Sequence, residues 1–449
     1  MKSRAFIAAL AAVALALAAA ACAPTPPPAP LTEPEKTAAI QAAAAQSELG
    51  RRIGSGPEVF VAGNRLNADR LRRFYYRHGF DPVWTSRPAE ARALTEAVLR
   101  AGDHGLPPEL FHANLLRGAG ALRPLDRDLV LSDAFMAYAD ALARGAVPAE
   151  RRREDEVLTA GPVDTAAVFD GVLAAADPAA ALEALAPQTP TYNALRDALR
   201  TMREKKGADE TARWRAVEVN LERERWLPRR LPADRIWVNT ADQRLTMYRD
   251  SQPAFATKVI VGQDERPNQS PEFEVAIDAI WFNPPWSIPR DIAEKEYQPL
   301  IDKDPEYLAK HNLVRLPDGI LQQKAGPYSG LGYLMFDMNN KFDVYLHDTP
   351  GRDLFQRDNR RISHGCIRVE NPRELAALVM RQSREEIDRT IATGDTSRTP
   401  VPKPVPVFVV YQTAFADTDG KLQFRPDTYS RDAEIWQSLA PTAQMMAER

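Results

Sequence analysis

The hydrophobic period of this chain changes near Arg235, and that change limits the folds it can adopt. From about Leu66 to Arg203, apolar residues recur at helical spacing. After Arg235, short β-branched and aromatic runs alternate with turn residues, a pattern typical of strands. We therefore expect an α+β protein, with a mostly helical part over residues 61–230, a β-rich part over residues 231–435 and a tail at 436–449.

The same patterns predict individual elements. In the helical part they indicate helices at 69–78, 90–101, 129–144, 189–206 and 208–225. In the β-rich part they indicate strands at 236–239, 244–248, 257–261, 273–280, 333–336 and 342–346. A helical interruption is predicted at about 291–311, a helix at 371–380, and a late hairpin from 405–411 and 421–424 around the Asp419-Gly420 turn.

The first 22 residues resemble a signal peptide. Lys2 and Arg4 precede an Ala/Leu/Val run that ends in Ala-Ala-Ala-Cys at Cys22. Two interpretations stay open: ordinary cleavage, or lipoprotein processing that lipidates Cys22. Either predicts a periplasmic or cell-envelope protein, touching the membrane only through a lipid anchor, because no later apolar run approaches about 18 residues. A proline-rich linker is expected over 23–60.

Charge and cysteine content narrow the partners and the chemistry. With 58 basic and 61 acidic residues the net charge is −3, so nothing indicates a nucleic-acid partner. The chain has two cysteines, Cys22 and Cys366, so an exported form with a processed Cys22 has one thiol and no internal disulfide. A lone thiol in an oxidising compartment is either buried and inert or functional.

The window from Tyr345 to Asn371 concentrates reactive residue types around Cys366. A thiol is mostly protonated at neutral pH, so a nucleophilic cysteine needs a base beside it. His347 follows a predicted strand and can approach from a neighbouring strand, so we expect it to be the base. Asp348 is expected to orient that imidazole, by its carboxylate or by its backbone carbonyl.

Other residues of this window are expected to serve the substrate. The N–H groups of Gly365 and Cys366 are candidate oxyanion donors. Arg368 is two residues beyond the cysteine and is expected to bind a substrate carboxylate. His364 and Ser363 are expected to support the site beside the thiol. Two other interpretations stay open: a zinc site, or satisfied core histidines with an inert cysteine. Zinc would use the four residues His347, Asp348, His364 and Cys366 as ligands.

These residues carry a resemblance to a known family. His347-Asp348-Thr349-Pro350, followed by Ser363-His364-Gly365-Cys366-Ile367-Arg368, closely resembles the signature of the L,D-transpeptidase catalytic domain of the YkuD type. Segments at 220–228, 283–289 and 304–308 are similar to the large, scaffold-bearing members from Gram-negative bacteria. The resemblance spans about 64–429. It lacks the peptidoglycan-binding module that large members often carry, since the helical segments at 192–206 and 211–225 almost adjoin.

The resemblance implies a function. Cys366 would attack the carbonyl before the terminal D-Ala of a tetrapeptide stem, release D-Ala and form a thioester. A side-chain amine of a second stem would then resolve it as a 3→3 cross-link. Tyr345 would lie near the site, residues 287–332 would form a cap, and Trp286 would line the donor groove or pack internally. The resemblance also implies carbapenem sensitivity, and it implies cell-wall synthesis proteins as partners. It implies no metal or organic cofactor.

Other acceptors and classes remain open. Water would make the protein an L,D-carboxypeptidase, a free D-amino acid would give exchange, and a protein lysine would give attachment of that protein to the wall. A non-catalytic wall scaffold and a general cysteine protease are the other candidates. A general protease would need an orienting residue far from the motif, whereas here all the groups are local.

Overall fold

The structure is a computed structural model that describes residues 38, 42, 44–54, 56, 58–202 and 208–440. The predicted signal peptide, Cys22, most of the predicted linker and the end of the tail lie outside the described residues. The α+β prediction is confirmed: helices dominate before Arg235 and strands after it. None of the helices in the described ranges has the length and apolarity needed to cross a bilayer.

The N-terminal part is a bundle of helices with a small hairpin after the first helix. The hairpin pairs β1 (Val59–Val61) with β2 (Asn64–Leu66) and was not predicted. The helices are α1 (Glu48–Gly54), α2 (Ala68–Arg77), α3 (Pro88–Leu99), α4 (Ala113–Arg117), α5 (Pro124–Arg144), α6 (Thr165–Ala174), α7 (Pro178–Glu183), α8 (Pro190–Met202) and α9 (Ala208–Arg225). Local chemistry sets several starts, since Asn67, Asp164 and Asp177 cap the helices that follow them.

Helix α5 forms the centre of this bundle. Its residue Phe135 meets Trp84 edge to face at 4.9 Å between ring centroids. The buried carboxylate of Asp128 accepts hydrogen bonds from the backbone N–H groups of Val83 at 3.0 Å and Trp84 at 2.9 Å. Burying a carboxylate is costly unless hydrogen-bond donors surround it. These bonds therefore attach the loop before α3 to helix α5.

The C-terminal part is built on one curved sheet. Its strands are β3 (Arg235–Asn239), β4 (Arg244–Arg249), β5 (Gln252–Gly262), β6 (Phe273–Phe282), β10 (Leu334–Asp337), β11 (Leu346–His347), β12 (Arg361–Ser363), β13 (Ile367–Val369) and β14 (Ser397–Val410), in the order β12-β5-β13-β11-β10-β6-β14-β3-β4. Because β4 also pairs with β5, the sheet closes on itself. Helices α13 (Pro372–Met380) and α14 (Arg384–Ala392) cover it.

Two predicted features of this part were wrong. Only Leu346 of the predicted strand 342–346 lies in a strand. The late hairpin joins β15 (Ala414–Ala416) to β16 (Leu422–Phe424), whereas residues up to Val410 belong to the long central strand β14. The apolar run of β14 pairs with distant strands β3 and β6, and these long-range partners override the local hairpin pattern. Helix α15 (Arg431–Leu439) ends the described chain.

The predicted helical interruption is a small subdomain with its own core. It comprises β7 (Trp286–Ser287), α10 (Arg290–Ile292), a π-helical turn (Ala293–Tyr297), α11 (Gln298–Lys303), α12 (Tyr307–Lys310), β8 (Leu313–Arg315) and β9 (Leu321–Gln323). The three strands form a sheet of order β7-β9-β8. Ile288, Ile292, Leu313 and Leu321 are its buried centre. We call residues 287–332 the cap.

A buried ion pair in α9 holds the helical part together. Both side chains of the Glu222–Arg225 pair are 0% exposed, and the closest charged atoms are 2.9 Å apart. Glu222 also accepts the N–H of Val147 at 2.8 Å. We expect Glu222→Gln to lower the free energy of unfolding by about 3–5 kcal/mol, because it leaves a buried guanidinium without its counter-charge.

Urea unfolding would measure this loss. The matched control is Asp197→Asn, which removes the carboxylate of an exposed pair with Arg200 at 3.2 Å. Exposed pairs contribute at most about 1 kcal/mol, so the control should change little. Equal losses in the two variants would contradict a structural role for the buried pair.

Candidate active site

Two neighbouring parallel strands bring the predicted catalytic residues together. His347 of β11 lies opposite Arg368 of β13. The N–H of Ile367 donates to the carbonyl oxygen of Tyr345 at 2.9 Å, so Cys366 lies beside Tyr345. Alternate residues of a strand share a face of the sheet. One face therefore carries the four polar side chains of Tyr345, His347, Cys366 and Arg368.

The thiol of Cys366 is half-buried at the end of this face. Its Sγ donates to the carbonyl oxygen of Asp343 at 3.7 Å. Burial raises the pKa of the thiol, while the backbone N–H of Tyr345 and the charge of Arg368 partly oppose that rise. The thiol is thus protonated at neutral pH, and it needs a base to become a nucleophile.

His347 has the geometry of such a base. Its Nδ1 lies 2.6 Å from the backbone carbonyl oxygen of Asp348. A carbonyl oxygen can only accept, so Nδ1 carries the proton and Nε2 is the proton-accepting nitrogen. Burial, and secondly the positive charge of Arg368, lower the pKa of His347 to about 3. The imidazole is therefore neutral across the physiological pH range.

The carboxylate of Asp348 does not orient this imidazole. It accepts the N–H groups of Thr349 at 2.7 Å and Tyr333 at 2.9 Å, and it pairs with Arg352. Burial raises its pKa, and these donors oppose the rise. Of the two modes of orientation left open by the sequence, the structure contains the backbone carbonyl. Gly332 is needed beside it, because a Cβ there would lie 2.4 Å from the carboxylate carbon.

The residues before the thiol form a tight turn that Ser363 closes. Its hydroxyl donates to the carbonyl oxygen of Cys366 at 2.5 Å and accepts the N–H of Gly365 at 3.2 Å. Gly365 adopts a φ of 110°, which side chains rarely allow. The hydroxyl is buried within the turn, so we assign Ser363 to holding it, in place of the expected substrate contact. The N–H of Gly365 is likewise engaged, which leaves that of Cys366 as the candidate oxyanion donor.

Arg368 presents a donor to the same face. Its Nε is buried, and it has no hydrogen-bond partner among the described residues. Burial lowers the pKa of the guanidinium, although an arginine stays charged at neutral pH. The residue as a whole is half-buried, so the charged guanidinium is available to pair with a carboxylate.

The cap contacts the motif at His364. Its Nε2 is 2.8 Å from the carboxylate of Glu296 in the π-helical turn. π-helical turns occur frequently at functional sites. His364 thus contacts the cap, whereas the Nδ1 of His347 is bonded to the backbone of Asp348. Because their partners differ, we expect the two histidines to have different roles.

Trp286 directly precedes the cap and packs against it. Its ring meets that of Tyr297 edge to face at 6.2 Å between centroids. A Cβ on Gly330 would lie 2.8 Å from the indole, so the backbone there approaches the ring closely. One side of the ring therefore packs, while the half-buried indole leaves its expected part in the donor groove a prediction.

We expect Glu296→Gln to speed alkylation of Cys366 by iodoacetamide up to about fivefold, because an exposed ion pair contributes at most about 1 kcal/mol to cap closure. Glu296 is 51% exposed and His364 31%, which keeps the effect small. The rate is measured by mass spectrometry of the intact protein. Glu294→Gln, with the same charge change in the same helical turn, is the control. A rate unchanged in Glu296→Gln, or raised equally in both, would contradict a closing role for this pair.

The site contains residues that sequence reasoning missed. Asp343 and Glu296 contact the thiol and His364 from segments that carry no catalytic motif. Their positions follow from loop and cap packing, for which no local signal exists. Among the residues that the structure describes, no group of three or more His, Cys, Asp or Glu side chains is arranged to hold a metal ion.

Both parts of the chain match known family models. Residues 69–199 match the Scaffold domain, and residues 233–407 match the L,D-transpeptidase catalytic domain. A Haemophilus influenzae protein named "Putative L,D-transpeptidase" is 31% identical over 223 residues, which are 44% of this chain and 45% of that protein. The match thus spans less than half of that relative. The chain contains a Scaffold domain followed by an L,D-transpeptidase catalytic domain, and the resemblance found in the sequence is confirmed.

Solved structures of L,D-transpeptidases are also similar to this chain. One is a cysteine-to-serine mutant of the Enterococcus faecium enzyme, with 12% identity, a TM-score of 0.21 and coverage of 41% of this chain and 52% of that chain. Another is the catalytic domain from the same organism acylated by ertapenem, with 13% identity, a TM-score of 0.21 and coverage of 40% and 99%.

Proposed function

We propose that this protein is a cell-envelope L,D-transpeptidase that joins two peptidoglycan stem peptides by a 3→3 cross-link through a thioester on Cys366. The observation that carries the proposal is the pairing of β11 with β13. It puts His347, with its Nδ1 protonated, on the same face as the thiol. A neutral imidazole on the same face as a protonated thiol suits general-base activation of a nucleophile.

In the first step, Cys366 Sγ attacks the carbonyl carbon before the terminal D-Ala, and the thiol proton moves to His347 Nε2. The carbonyl oxygen becomes an oxyanion, which the N–H of Cys366 stabilises. When the tetrahedral intermediate collapses, the bond to D-Ala breaks and the D-Ala nitrogen takes the proton from His347. The products of this step are free D-Ala and a thioester.

In the second step, an amine on the third residue of another stem attacks the thioester. His347 accepts the proton from that amine, an amide forms, and the sulfur leaves as a thiolate that recovers the proton. The reaction exchanges one amide for another, so it needs neither an oxidant nor an external energy source. Water, a D-amino acid or a protein lysine in place of the amine would give the alternative products.

Arg368 is proposed to select the donor stem. Arg368 lies on the catalytic face and is half-buried, so its charged guanidinium can pair with a carboxylate of the stem. Tyr345 lies opposite Cys366 on the neighbouring segment of the same face. Trp286 shapes the cap above, and the cap excludes water from the thioester.

The remaining sequence predictions stay part of the proposal. They are the domain bounds at 61–230 and 231–435, the signal peptide at 1–22 with either ordinary cleavage or lipidation of Cys22, and the location in the periplasm or cell envelope. Stem peptides are the proposed partners, and cell-wall synthesis proteins are further partners expected from the resemblance.

Mass spectrometry of reaction products tests the function. The purified protein is incubated with tetrapeptide muropeptides, and the expected product is a dimer lighter than two monomers by one D-Ala. Monomers trimmed by D-Ala without dimer would overturn cross-linking in favour of hydrolysis. If neither product forms and ertapenem leaves no covalent adduct on Cys366, the enzyme proposal fails.

A further inference from the structure

A segment of the helical part is joined to the catalytic sheet by its backbone. Within residues 153–157, the carbonyl oxygen of Asp155 accepts the N–H of Glu272 at 2.7 Å. The N–H of Val157 donates to the carbonyl oxygen of Glu272 at 2.9 Å. Residues 153–157 lie within the match to the Scaffold domain, and Glu272 directly precedes β6. The Scaffold domain therefore contacts the sheet at a fixed register.

Arg431 connects this segment to the interior of the catalytic domain. Its side chain is 0% exposed. The guanidinium donates to the carboxylates of Asp155 at 2.8 Å and Glu272 at 2.9 Å, and to the carbonyl oxygen of Ser270 at 3.0 Å. A planar guanidinium binds several acceptors in a fixed geometry, so it sets the position of the Ser270 backbone relative to the Scaffold segment.

Ser270 then reaches the peptide bond before the nucleophile. Its hydroxyl accepts the N–H of Gly262 at 2.9 Å and donates to the carbonyl oxygen of Gly365 at 2.7 Å. The oxygen of Gly365 and the N–H of Cys366 belong to one planar peptide group. In a trans peptide these two groups point in opposite directions, so holding the oxygen on one side aims the N–H to the other.

We propose that Ser270 is a positioning residue that aims the N–H of Cys366 at the oxyanion, and that the Scaffold domain holds it there through Arg431. This inference rests on the proposed function and deepens it. The hydrogen bond to the Gly365 oxygen also polarises the peptide group, which makes the N–H a stronger donor. The Scaffold domain is thus a structural part of the oxyanion site, although it contributes no group to the reacting atoms.

The test compares two reactions of the same thiol in the full-length protein. Acylation by ertapenem forms an oxyanion, whereas alkylation by iodoacetamide forms none. We expect Ser270→Ala to slow acylation by about 10–100-fold, less than or equal to the loss of a whole oxyanion donor. Alkylation should change by less than about twofold, since the thiol and its base remain. Asp155→Asn, on the Scaffold side, should lower the ratio of acylation to alkylation several-fold.

Thr240→Val is the matched control. Thr240 is buried in the same domain, and its hydroxyl donates to the carbonyl oxygen of Val410 at 3.1 Å, so its loss costs one comparable hydrogen bond elsewhere. The control should keep the wild-type ratio. An unchanged ratio in Ser270→Ala, or an equal fall in both variants, overturns the inference while wild-type acylation supports the proposed function. A wild type that is alkylated but never acylated overturns the proposed function, and this inference with it.

Discussion

Replacing Cys366 by alanine is expected to slow release of D-Ala from tetrapeptide stems by at least about 10⁴-fold, as loss of a covalent nucleophile does in other acyl-transfer enzymes. The other groups of the site remain, but no thioester can form. Chromatographic assay of free D-Ala measures the rate, and intact-mass spectrometry should find no ertapenem adduct.

The fold of this variant should stay intact. The thiol is half-buried, and its hydrogen bond to the carbonyl oxygen of Asp343 is long, at 3.7 Å. Loss of the thiol should therefore lower the free energy of unfolding only slightly. The thermal unfolding midpoint is therefore expected to stay within about 3 °C of the wild type, a shift that corresponds to less than about 1 kcal/mol. Substantial D-Ala release by a folded Cys366→Ala protein would refute the thioester mechanism.

Replacing His347 by glutamine is expected to slow ertapenem acylation at pH 7 by about 10²–10⁴-fold, the usual contribution of a general base. Burial and Arg368 keep the pKa of His347 low, at about 3, while burial raises the pKa of the Cys366 thiol. In the wild type, base and thiol are thus both neutral between about pH 5 and pH 8, so the rate should be flat there.

The pH profile of the variant should differ in shape. Without a base, acylation depends on the fraction of thiolate, which rises about tenfold per pH unit below the thiol pKa. The rate of His347→Gln should therefore climb steeply where the wild-type rate is flat. If the wild-type rate decreases as the pH drops through 6.5, the ordinary pKa of histidine, a buried neutral base would be contradicted.

The second histidine of the motif supplies the control. His364 pairs with Glu296 of the cap at 2.8 Å, and it is placed to affect cap closure rather than proton transfer. His364→Gln should change the acylation rate by less than about fivefold and should leave the profile flat, because exposed ion pairs contribute little. A larger loss of acylation rate in His364→Gln than in His347→Gln would indicate that His364, rather than His347, is the base.

The contacts between the helical part and the catalytic domain limit how this protein can be divided into separately stable parts. The Glu272 backbone and the Arg431 side chain bind the Scaffold segment and the catalytic sheet at once. Arg223 of α9 also pairs with Asp432 at 2.5 Å, and Asn220 donates to Thr413 at 2.7 Å. Removing the whole helical part, α9 included, would leave these buried charges and amides without partners, which is costly.

Much of this protein could be predicted from its sequence. The change of hydrophobic period at Arg235 separated helices from strands, because amphipathic spacing is a local property of the chain. The reactive residues Cys366, His347 and Arg368 were identified for a similar reason: they lie within one short window, and their chemistry depends on residue type. Helix bounds such as Ala208–Arg225 also agreed, since caps and periodicity are local signals.

Only the tertiary structure decided how those residues are arranged. The carbonyl of Asp348, rather than its carboxylate, meets His347, because Tyr333 and Thr349 already occupy the carboxylate. The hydrogen bond from Ser270 to Gly365 joins residues 95 positions apart, and the one from Arg431 to Ser270 joins residues 161 apart. Such contacts depend on how distant strands and helices pack, and no local pattern of residue types encodes that packing.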